Sequence, residues 1–176
     1  MKYNPDLNTQ LAAAVNGKRI LITGASSGVG LAMARQLASS GARLILVARS
    51  EDKLLNAQKE VARRGGHAEI YTCDLSEDDD TKKLTESVNA DLGGVDILIN
   101  NAGRSIRRPV TESTDRLHDY RRTMELNYFG SIRLILAFLP GMQARGEGHI
   151  LNILTMGCQV RTPKFSAYIA SKLALD

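Results

Sequence analysis

The sequence predicts an α/β fold in three layers, with a doubly wound parallel β-sheet between two layers of helices. Three observations carry this prediction. Short apolar runs alternate with segments of helical periodicity five times along the chain. Such alternation is typical of parallel strands joined by right-handed helical crossovers. A glycine-rich turn leads directly from the first apolar run into the first amphipathic segment.

The first half of the chain supplies three strands, which are predicted at 19–23, 43–48 and 68–73 because each is a short apolar run. Helices are predicted at 28–40 and 51–64, where apolar residues recur at helical spacing and glycines follow. Ser76 is expected to cap a further helix. The acidic residues 77–80 suit the positive end of that helix dipole better than they suit a metal site.

The second half continues the pattern. Strands are predicted at 96–100 and 148–155, and a long helix at 123–144. A last helix begins near Phe165. Residues 1–17 are interpreted as a lead-in with a short helix at 11–15, and residues 18–176 as one nucleotide-binding domain.

Composition excludes several classes of protein. The chain has 176 residues, of which 43 % are apolar, and no run approaches the roughly 18 apolar residues of a membrane helix. The first 16 residues lack the apolar core of a secretory signal, so a cytoplasmic protein is expected. Two cysteines are too few for a disulfide framework, and a buried structural role is expected for Cys73. The three histidines lie far apart, which argues against a metal site.

The net charge of +4 has two interpretations: attraction for phosphate-rich small molecules, or a slight surface excess of lysine and arginine. No nucleic-acid-binding motif is present and aromatic residues make up 5 %, so nucleic acid is not expected as a partner.

The turn after the first strand has the sequence T-G-A-S-S-G-V-G, with glycines at 24, 28 and 30. Gly24 permits the tight turn, Gly28 lets the backbone approach a pyrophosphate, and Gly30 lets the helix pack closely on the sheet. The N–H groups at the helix N-terminus attract the anion. The same loop is predicted to bring three further residues to the cofactor: Ser26, Ser27 and Val29.

The end of the second strand indicates which dinucleotide is bound. NAD-binding proteins usually carry an acidic residue there for the ribose 2′-hydroxyl, whereas this chain has Arg49 followed by Ser50. A guanidinium suits a 2′-phosphate, so NADPH is the expected cofactor, with Ser50 as a helper. The alternative is that Arg49 is a surface residue at the start of the next helix.

Tyr168 and Lys172 lie four residues apart in the last helix, and therefore on one face of it. An ammonium group beside a phenol favours the phenolate. A tyrosine so placed can give a proton to a carbonyl oxygen while a hydride arrives from a nicotinamide.

Taken in order, T-G-x-x-x-G-x-G, the N-N-A-G at 100–103 and the Y-x-x-x-K at 168–172 resemble the short-chain dehydrogenase/reductase family. The resemblance extends from residue 18 to residue 176. It implies a Rossmann-like fold, an NADP-dependent oxidoreductase that transfers a hydride to a small-molecule carbonyl substrate, and a homodimer or homotetramer.

The same resemblance implies roles for individual residues. It places Asp74 and Leu75 beside the adenine. It also counts Tyr168 and Lys172 among the cofactor-binding residues, with Lys172 as a ligand of the nicotinamide ribose. Asn127 matches the asparagine that holds a water in the proton relay. Thr155 stands where the family has a catalytic serine, and it keeps the hydroxyl but adds a methyl group. The cofactor site is further expected to be lined by Asn101, Ala102 and Gly103.

Residues 103–109, 126–130 and 165–168 resemble the bacterial fatty acyl-CoA reductases, which makes a fatty acyl-CoA or fatty aldehyde the candidate substrate. Arg104, Arg107 and Arg108 can then meet the phosphates of CoA, or they are solvated charges of a surface loop. Because family members continue with further strands, the chain is expected to be truncated and to lack the last strands of the sheet. Two alternatives stay open: an inactive dinucleotide-binding module, and a basic protein that binds nucleic acid or a membrane surface.

Overall fold

The computed structural model describes residues 5–160 and 163–176, with side chains from residue 9 onward. Residues 1–4 of the predicted lead-in lie outside the described residues. The lead-in helix α1 spans Pro5–Val15 and so begins earlier than the predicted 11–15. Val15 and Leu11 pack into the hydrophobic core under the first helices of the domain.

Five strands form one parallel sheet in the order β3-β2-β1-β4-β5, with helices on both faces, which confirms the predicted α/β class. The strands are β1 Arg19–Thr23, β2 Arg43–Ala48, β3 His67–Thr72, β4 Ile97–Asn100 and β5 His149–Asn152. The helices that follow α1 are α2 Gly28–Leu37, α3 Glu51–Arg63, α4 Asp78–Leu92, α5 Leu117–Met124, α6 Gly130–Arg145 and α7 Ser166–Leu175.

The central strands are apolar almost without interruption because helices cover both faces of the sheet. Ile20 and Ile22 belong to one core, under α2 and α3, whereas Leu21 between them belongs to the other, under α4 and α6. All three side chains are essentially inaccessible to solvent. Successive side chains of β1 therefore pack alternately against the helical layers on the two faces of the sheet.

β1 pairs with β2 on one side and with β4 on the other, so the direction of winding reverses between β1 and β4. In open parallel sheets this reversal leaves a crevice at the carboxyl ends of the two strands. The segments that leave β1 and β4 both begin at this crevice.

Several boundaries differ from the predictions for local reasons. The helix predicted at 28–40 is α2 followed by one 3₁₀ turn, Ala38–Ser40, and Gly41 ends it at a φ of 78°. Ser76 does not cap α4, because its hydroxyl donates to the carboxylate of Asp74. α4 begins two residues later.

The long helix predicted at 123–144 is three consecutive pieces. α5 begins six residues earlier, at Leu117, and a π-helical turn at Glu125–Phe129 joins it to α6. π-Helical turns are rare and concentrate at functional sites. Asn127, at the middle of this turn, is fully buried.

No helix among the described residues is long and apolar enough to cross a membrane.

An ion pair closes the amino ends of β1 and β4. The Nε and the backbone N–H of Arg19 both donate to Oδ2 of Asp96, at 2.9 Å each. Arg145 approaches the same carboxylate at 3.6 Å. The hydrogen bond from Arg19 is the main reason why the pKa of Asp96 lies below its ordinary value.

We expect Asp96→Asn to lower the free energy of unfolding by about 2 kcal/mol at pH 7, because Arg19 loses a charged acceptor. A carboxylate with a lowered folded-state pKa stabilises the fold above its ordinary pKa. It loses that effect as the pH falls through the folded-state value. Urea titrations should therefore show that the difference in free energy of unfolding between the variant and the parent disappears in acid.

Glu60→Gln is the matched control, since it breaks the more exposed ion pair between Arg35 and Glu60. An equal loss of stability in both variants would contradict the special role of Asp96.

Candidate active site

The turn after β1 is held against the segment after β4 by Thr23. Its Oγ1 accepts hydrogen bonds from the backbone N–H groups of Asn101 and Ala102, both at 2.9 Å. The amide Nδ2 of Asn101 donates back to the carbonyl oxygen of Thr23 at 2.8 Å. Gly24 follows with a φ of 66°, a conformation that favours glycine. These contacts fix the position of both segments at the crevice.

Gly28 and Gly30 have different roles in the turn. A Cβ on Gly30 would lie 2.4 Å from the carbonyl oxygen of Gly24, so this position requires glycine for close packing. Gly28 has a φ of 53°, and a Cβ there would meet nothing within 4 Å. Its backbone therefore faces open space, as approach to a pyrophosphate requires.

The N-terminus of α2 carries free donors. Ser27 makes no side-chain cap, and the first backbone hydrogen bond of the helix is from the Leu31 N–H to the Ser27 carbonyl oxygen, at 3.2 Å. No described residue accepts a hydrogen bond from the N–H groups of residues 28–30. Free N–H groups together with the helix dipole suit a phosphate anion.

A cavity of about 440 Å³ lies at this crevice. The predicted cofactor residues that line it are Gly24, Ser26, Ser27, Val29, Arg49, Leu75, Asn101, Ala102 and Gly103, together with the helper Ser50. Five further lining residues were not predicted: Val47, Ala48, Lys53, Cys73 and Leu126. Lys53 lies in the first turn of α3, close in sequence to Arg49, and a second cation so near the strand end was a signal that could have identified it.

Arg49 and Asp74 meet at the end of the cavity that is formed by β2 and β3. Arg49 Nη1 lies 3.6 Å from Asp74 Oδ2, and 68 % of the arginine side chain is exposed. Burial would raise the pKa of Asp74, but hydrogen bonds from Ser76 and the charge of Arg49 together keep it below its ordinary value. The Asp74 carboxylate therefore pairs with Arg49, the side chain that is predicted to bind the 2′-phosphate.

Cys73 lies below this end of the cavity and is buried. Burial, with Asp80 and Asp74 nearby, raises the pKa of its thiol to about 12. The thiol is therefore protonated at neutral pH and acts as an apolar side chain, as expected.

Asn127 ties the catalytic region together from the π-helical turn. Its Oδ1 accepts the Arg104 N–H at 2.8 Å, and its Nδ2 donates to the Arg104 carbonyl oxygen at 3.0 Å and to Ser171 Oγ at 2.9 Å. Ser171 in turn donates to the carbonyl oxygen of Tyr168 at 2.7 Å. Both amide hydrogens of Asn127 are thus used, and one lone pair of its Oδ1 remains.

Lys172 is buried in α7, and its Nζ donates to the carbonyl oxygen of Ile153 at 2.8 Å. Burial lowers the pKa of its ammonium group. A Cβ placed on Gly103 would lie 3.4 Å from Lys172 Nζ and 3.3 Å from Asn127 Oδ1. Both polar atoms therefore flank the last residue of the N-N-A-G segment.

Tyr168 and Thr155 line a small cavity of about 110 Å³, together with Gly157, Phe165 and Ile169. Thr155 Oγ1 accepts a hydrogen bond from the Gly157 N–H at 3.2 Å, which leaves the hydroxyl hydrogen free to donate.

The structure therefore gathers the predicted site residues into two neighbouring groups. Thr155, Tyr168, Lys172 and Asn127 lie beyond β4 and β5, and the phosphate loop and Arg49 lie beyond β1 and β2. Gly103 lies between the two groups, since it lines the larger cavity and leaves only enough room for a Cβ beside Lys172 Nζ. Sequence reasoning missed Thr23 and Ser171, which act only through contacts across the fold. Within the described residues, no group of three or more potential metal ligands comes together.

Comparison with known proteins identifies relatives that are similar in sequence. A family model described as short chain dehydrogenase matches residues 18–176. An uncharacterized oxidoreductase of Mycobacterium tuberculosis is 54 % identical over 166 residues, which cover 93 % of this chain and 49 % of that protein. A fatty acyl-CoA reductase of Acinetobacter baylyi is 48 % identical over 173 residues, which cover 98 % of this chain and 59 % of that protein. The chain spans about half the length of these relatives.

Solved structures match as well. A metagenomic short-chain oxidoreductase in complex with NADP superposes with a TM-score of 0.86 at 36 % identity, over 92 % of this chain and 73 % of that chain. An NAD⁺-bound xylitol dehydrogenase gives a TM-score of 0.84 at 32 % identity, over 90 % and 61 %. These matches confirm the Rossmann-like sheet. One structure holds NADP and the other NAD⁺, so the choice of cofactor depends on this chain's own residues.

We expect Thr23→Val to lower the free energy of unfolding by about 1–3 kcal/mol, because the N–H groups of Asn101 and Ala102 lose their shared acceptor. The measurement is thermal and chemical unfolding. Thr72→Val is the control, since the Thr72 hydroxyl is exposed and has no hydrogen-bond partner among the described residues. Comparable losses in the two variants would argue against the bracing role of Thr23.

Proposed function

This chain belongs to the short-chain dehydrogenase family, and we propose that it is the cofactor-binding and catalytic part of an NADPH-dependent carbonyl reductase. The observation that carries the proposal is the junction at Gly103. This residue lines the larger cavity, and a Cβ placed on it would lie 3.4 Å from Lys172 Nζ, so the lysine ammonium group is close to that cavity. A cofactor in that cavity and a substrate beside Tyr168 are thereby neighbours.

The residues of the larger cavity fit a dinucleotide phosphate. The free N–H groups of residues 28–30 suit the pyrophosphate. Two cations line the cavity beyond β2, Arg49 on the turn and Lys53 in the first turn of α3, and both suit a 2′-phosphate. No acidic residue follows β2 directly to hold a 2′-hydroxyl. These features favour NADPH over NADH.

The bound nicotinamide would supply the hydride that reduces the carbonyl carbon. Tyr168 is the proton donor to the carbonyl oxygen, and Thr155 donates a hydrogen bond to the same oxygen from the other wall of the small cavity. Together they stabilise the negative charge that develops on that oxygen.

Lys172 and Asn127 support Tyr168 from behind. The lowered pKa of Lys172 makes its ammonium group a readier proton donor, which suits return of a proton to the phenolate after each reduction. The free lone pair of Asn127 Oδ1 can hold a water beside Gly103, close to Lys172 Nζ. That water would connect the lysine with solvent.

For the substrate we propose a fatty acyl-CoA or the fatty aldehyde derived from it. The support is the 48 % identity to the fatty acyl-CoA reductase of Acinetobacter baylyi. Hydride addition to the thioester carbonyl and release of CoA as its thiol would give the aldehyde. The oxidised cofactor is the other product.

We expect Arg49→Asp to weaken NADPH binding about tenfold or more. The variant loses the guanidinium that pairs with the 2′-phosphate, and its new carboxylate, next to Asp74, repels that phosphate. Titrations that follow nicotinamide fluorescence with NADPH and NADH measure the preference. Arg64→Asp, on an exposed residue after α3, makes the same charge change away from the cavity. A parent protein that binds both dinucleotides equally would refute the assigned cofactor.

We expect Tyr168→Phe to reduce NADPH-dependent reduction of a long-chain acyl-CoA or aldehyde by about 100-fold or more, with NADPH affinity preserved. Loss of the proton donor affects the chemical step and leaves the cofactor contacts in place. Absorbance of NADPH at steady state measures the rate.

Tyr71→Phe is the control, since the Tyr71 hydroxyl bonds Asp91 outside both cavities. NADPH binding without turnover in the parent would instead favour the dinucleotide-binding module as the function.

A further inference from the structure

Almost all of the net charge lies in one segment. Residues 104–122 contain six arginines and three carboxylates, a net charge of +3 within a chain whose total is +4. The segment runs from the end of the N-N-A-G motif into α5. The excess of positive over negative charge is therefore concentrated in the part of the chain that directly follows that motif.

Asp119 organises these arginines. Its side chain is buried, and its carboxylate contacts Arg116 Nε at 2.9 Å, Arg122 Nη2 at 2.5 Å and Arg108 Nε at 3.5 Å. The hydrogen bond from Arg116 is the main cause that holds the pKa of Asp119 below its ordinary value. One carboxylate thus gathers three guanidinium groups and leaves two positive charges uncompensated.

Donors on this surface remain unused. Arg108 Nε is buried and is satisfied only by its 3.5 Å ion pair with Asp119, so the unused donors belong to the two exposed arginines. Arg104 and Arg107 are exposed, and their guanidinium groups form no ion pair or hydrogen bond with any described residue. We name these residues the arginine surface: Arg104, Arg107, Arg108, Arg116 and Arg122.

The arginine surface is joined rigidly to the catalytic residues. The backbone of Arg104 forms two hydrogen bonds with the Asn127 side chain. The Arg108 N–H donates to the carbonyl oxygen of Lys164 at 2.6 Å, on the segment that leads into α7. α5 is tied to α7 through the hydroxyls of Tyr120 and Ser166, 2.8 Å apart.

We propose that the arginine surface binds the phosphate groups of the CoA portion of the substrate. Guanidinium groups present paired donors that match phosphate oxygens, and CoA carries a diphosphate and a 3′-phosphate. The surface begins at the residue after Gly103, so a thioester at Tyr168 can be tethered through its phosphates. This inference depends on the proposed acyl-CoA reductase function and assigns the part of the substrate that is recognised.

The test is calorimetric titration of CoA into the protein saturated with NADP⁺, which keeps the adenosine end of CoA out of the dinucleotide cavity. Arg104→Gln/Arg107→Gln should weaken CoA binding about tenfold, since two charged donors are lost. Pantetheine, which has no phosphate, should bind weakly to the parent and to the variant alike. Binding of CoA should also weaken with added salt.

Arg63→Gln/Arg64→Gln is the matched control, because it removes two exposed arginines at the end of α3, away from the catalytic residues. It should leave CoA binding unchanged. Equal weakening in both double variants would show that overall charge holds CoA and would overturn the proposal. Parent protein that binds CoA no better than pantetheine would overturn it too.

Acyl-CoA reduction measured in parallel separates this inference from the proposed function. CoA binding that requires Arg104 and Arg107, without any turnover, would uphold the arginine surface and reject the reductase. Turnover whose KM for acyl-CoA is the same in the parent and in Arg104→Gln/Arg107→Gln would reject the arginine surface alone.

Discussion

The architecture of the site depends on how closely the turn after β1 approaches the segment after β4. Gly30 has no space for a side chain next to the Gly24 carbonyl, and Thr23 accepts two N–H groups from the facing segment. Any separation of these segments would widen the dinucleotide cavity and move Gly103. Because Asn127 Oδ1 and Lys172 Nζ lie beside Gly103, the surroundings of these two predicted site residues would change as well.

Much of this arrangement was accessible from the sequence because it is local. Strands buried on both faces must be apolar throughout, so β1 and β2 were predicted with their observed bounds. The four-residue spacing of Tyr168 and Lys172 needs only a helix to place both on one face. Gly24 and Gly28 indicate a left-handed backbone because glycine adopts it most readily, and Gly30 indicates close packing because it has no side chain.

The remaining features depend on contacts whose presence or outcome a sequence pattern does not reveal. The π-helical turn at Glu125–Phe129 carries Asn127, whose hydrogen bonds to Arg104 and Ser171 join parts of the chain that no local pattern relates. Ser76 has the chemistry of a helix cap, but the nearby carboxylate of Asp74 competes successfully for its hydroxyl. Likewise, the sequence places Asp119 among six arginines, but only the fold shows that its side chain is buried and that Arg108 joins the neighbouring Arg116 and Arg122 around it.

The two cysteines differ sharply in their surroundings. Cys73 is buried and its pKa is raised to about 12, so alkylating reagents should leave it untouched in the folded protein. Cys158 is partly exposed, three residues after Thr155. A thiol-reactive fluorophore should therefore attach at a single position close in sequence to the small cavity of Thr155 and Tyr168. Its emission would then report ligand binding at that cavity without any engineered cysteine.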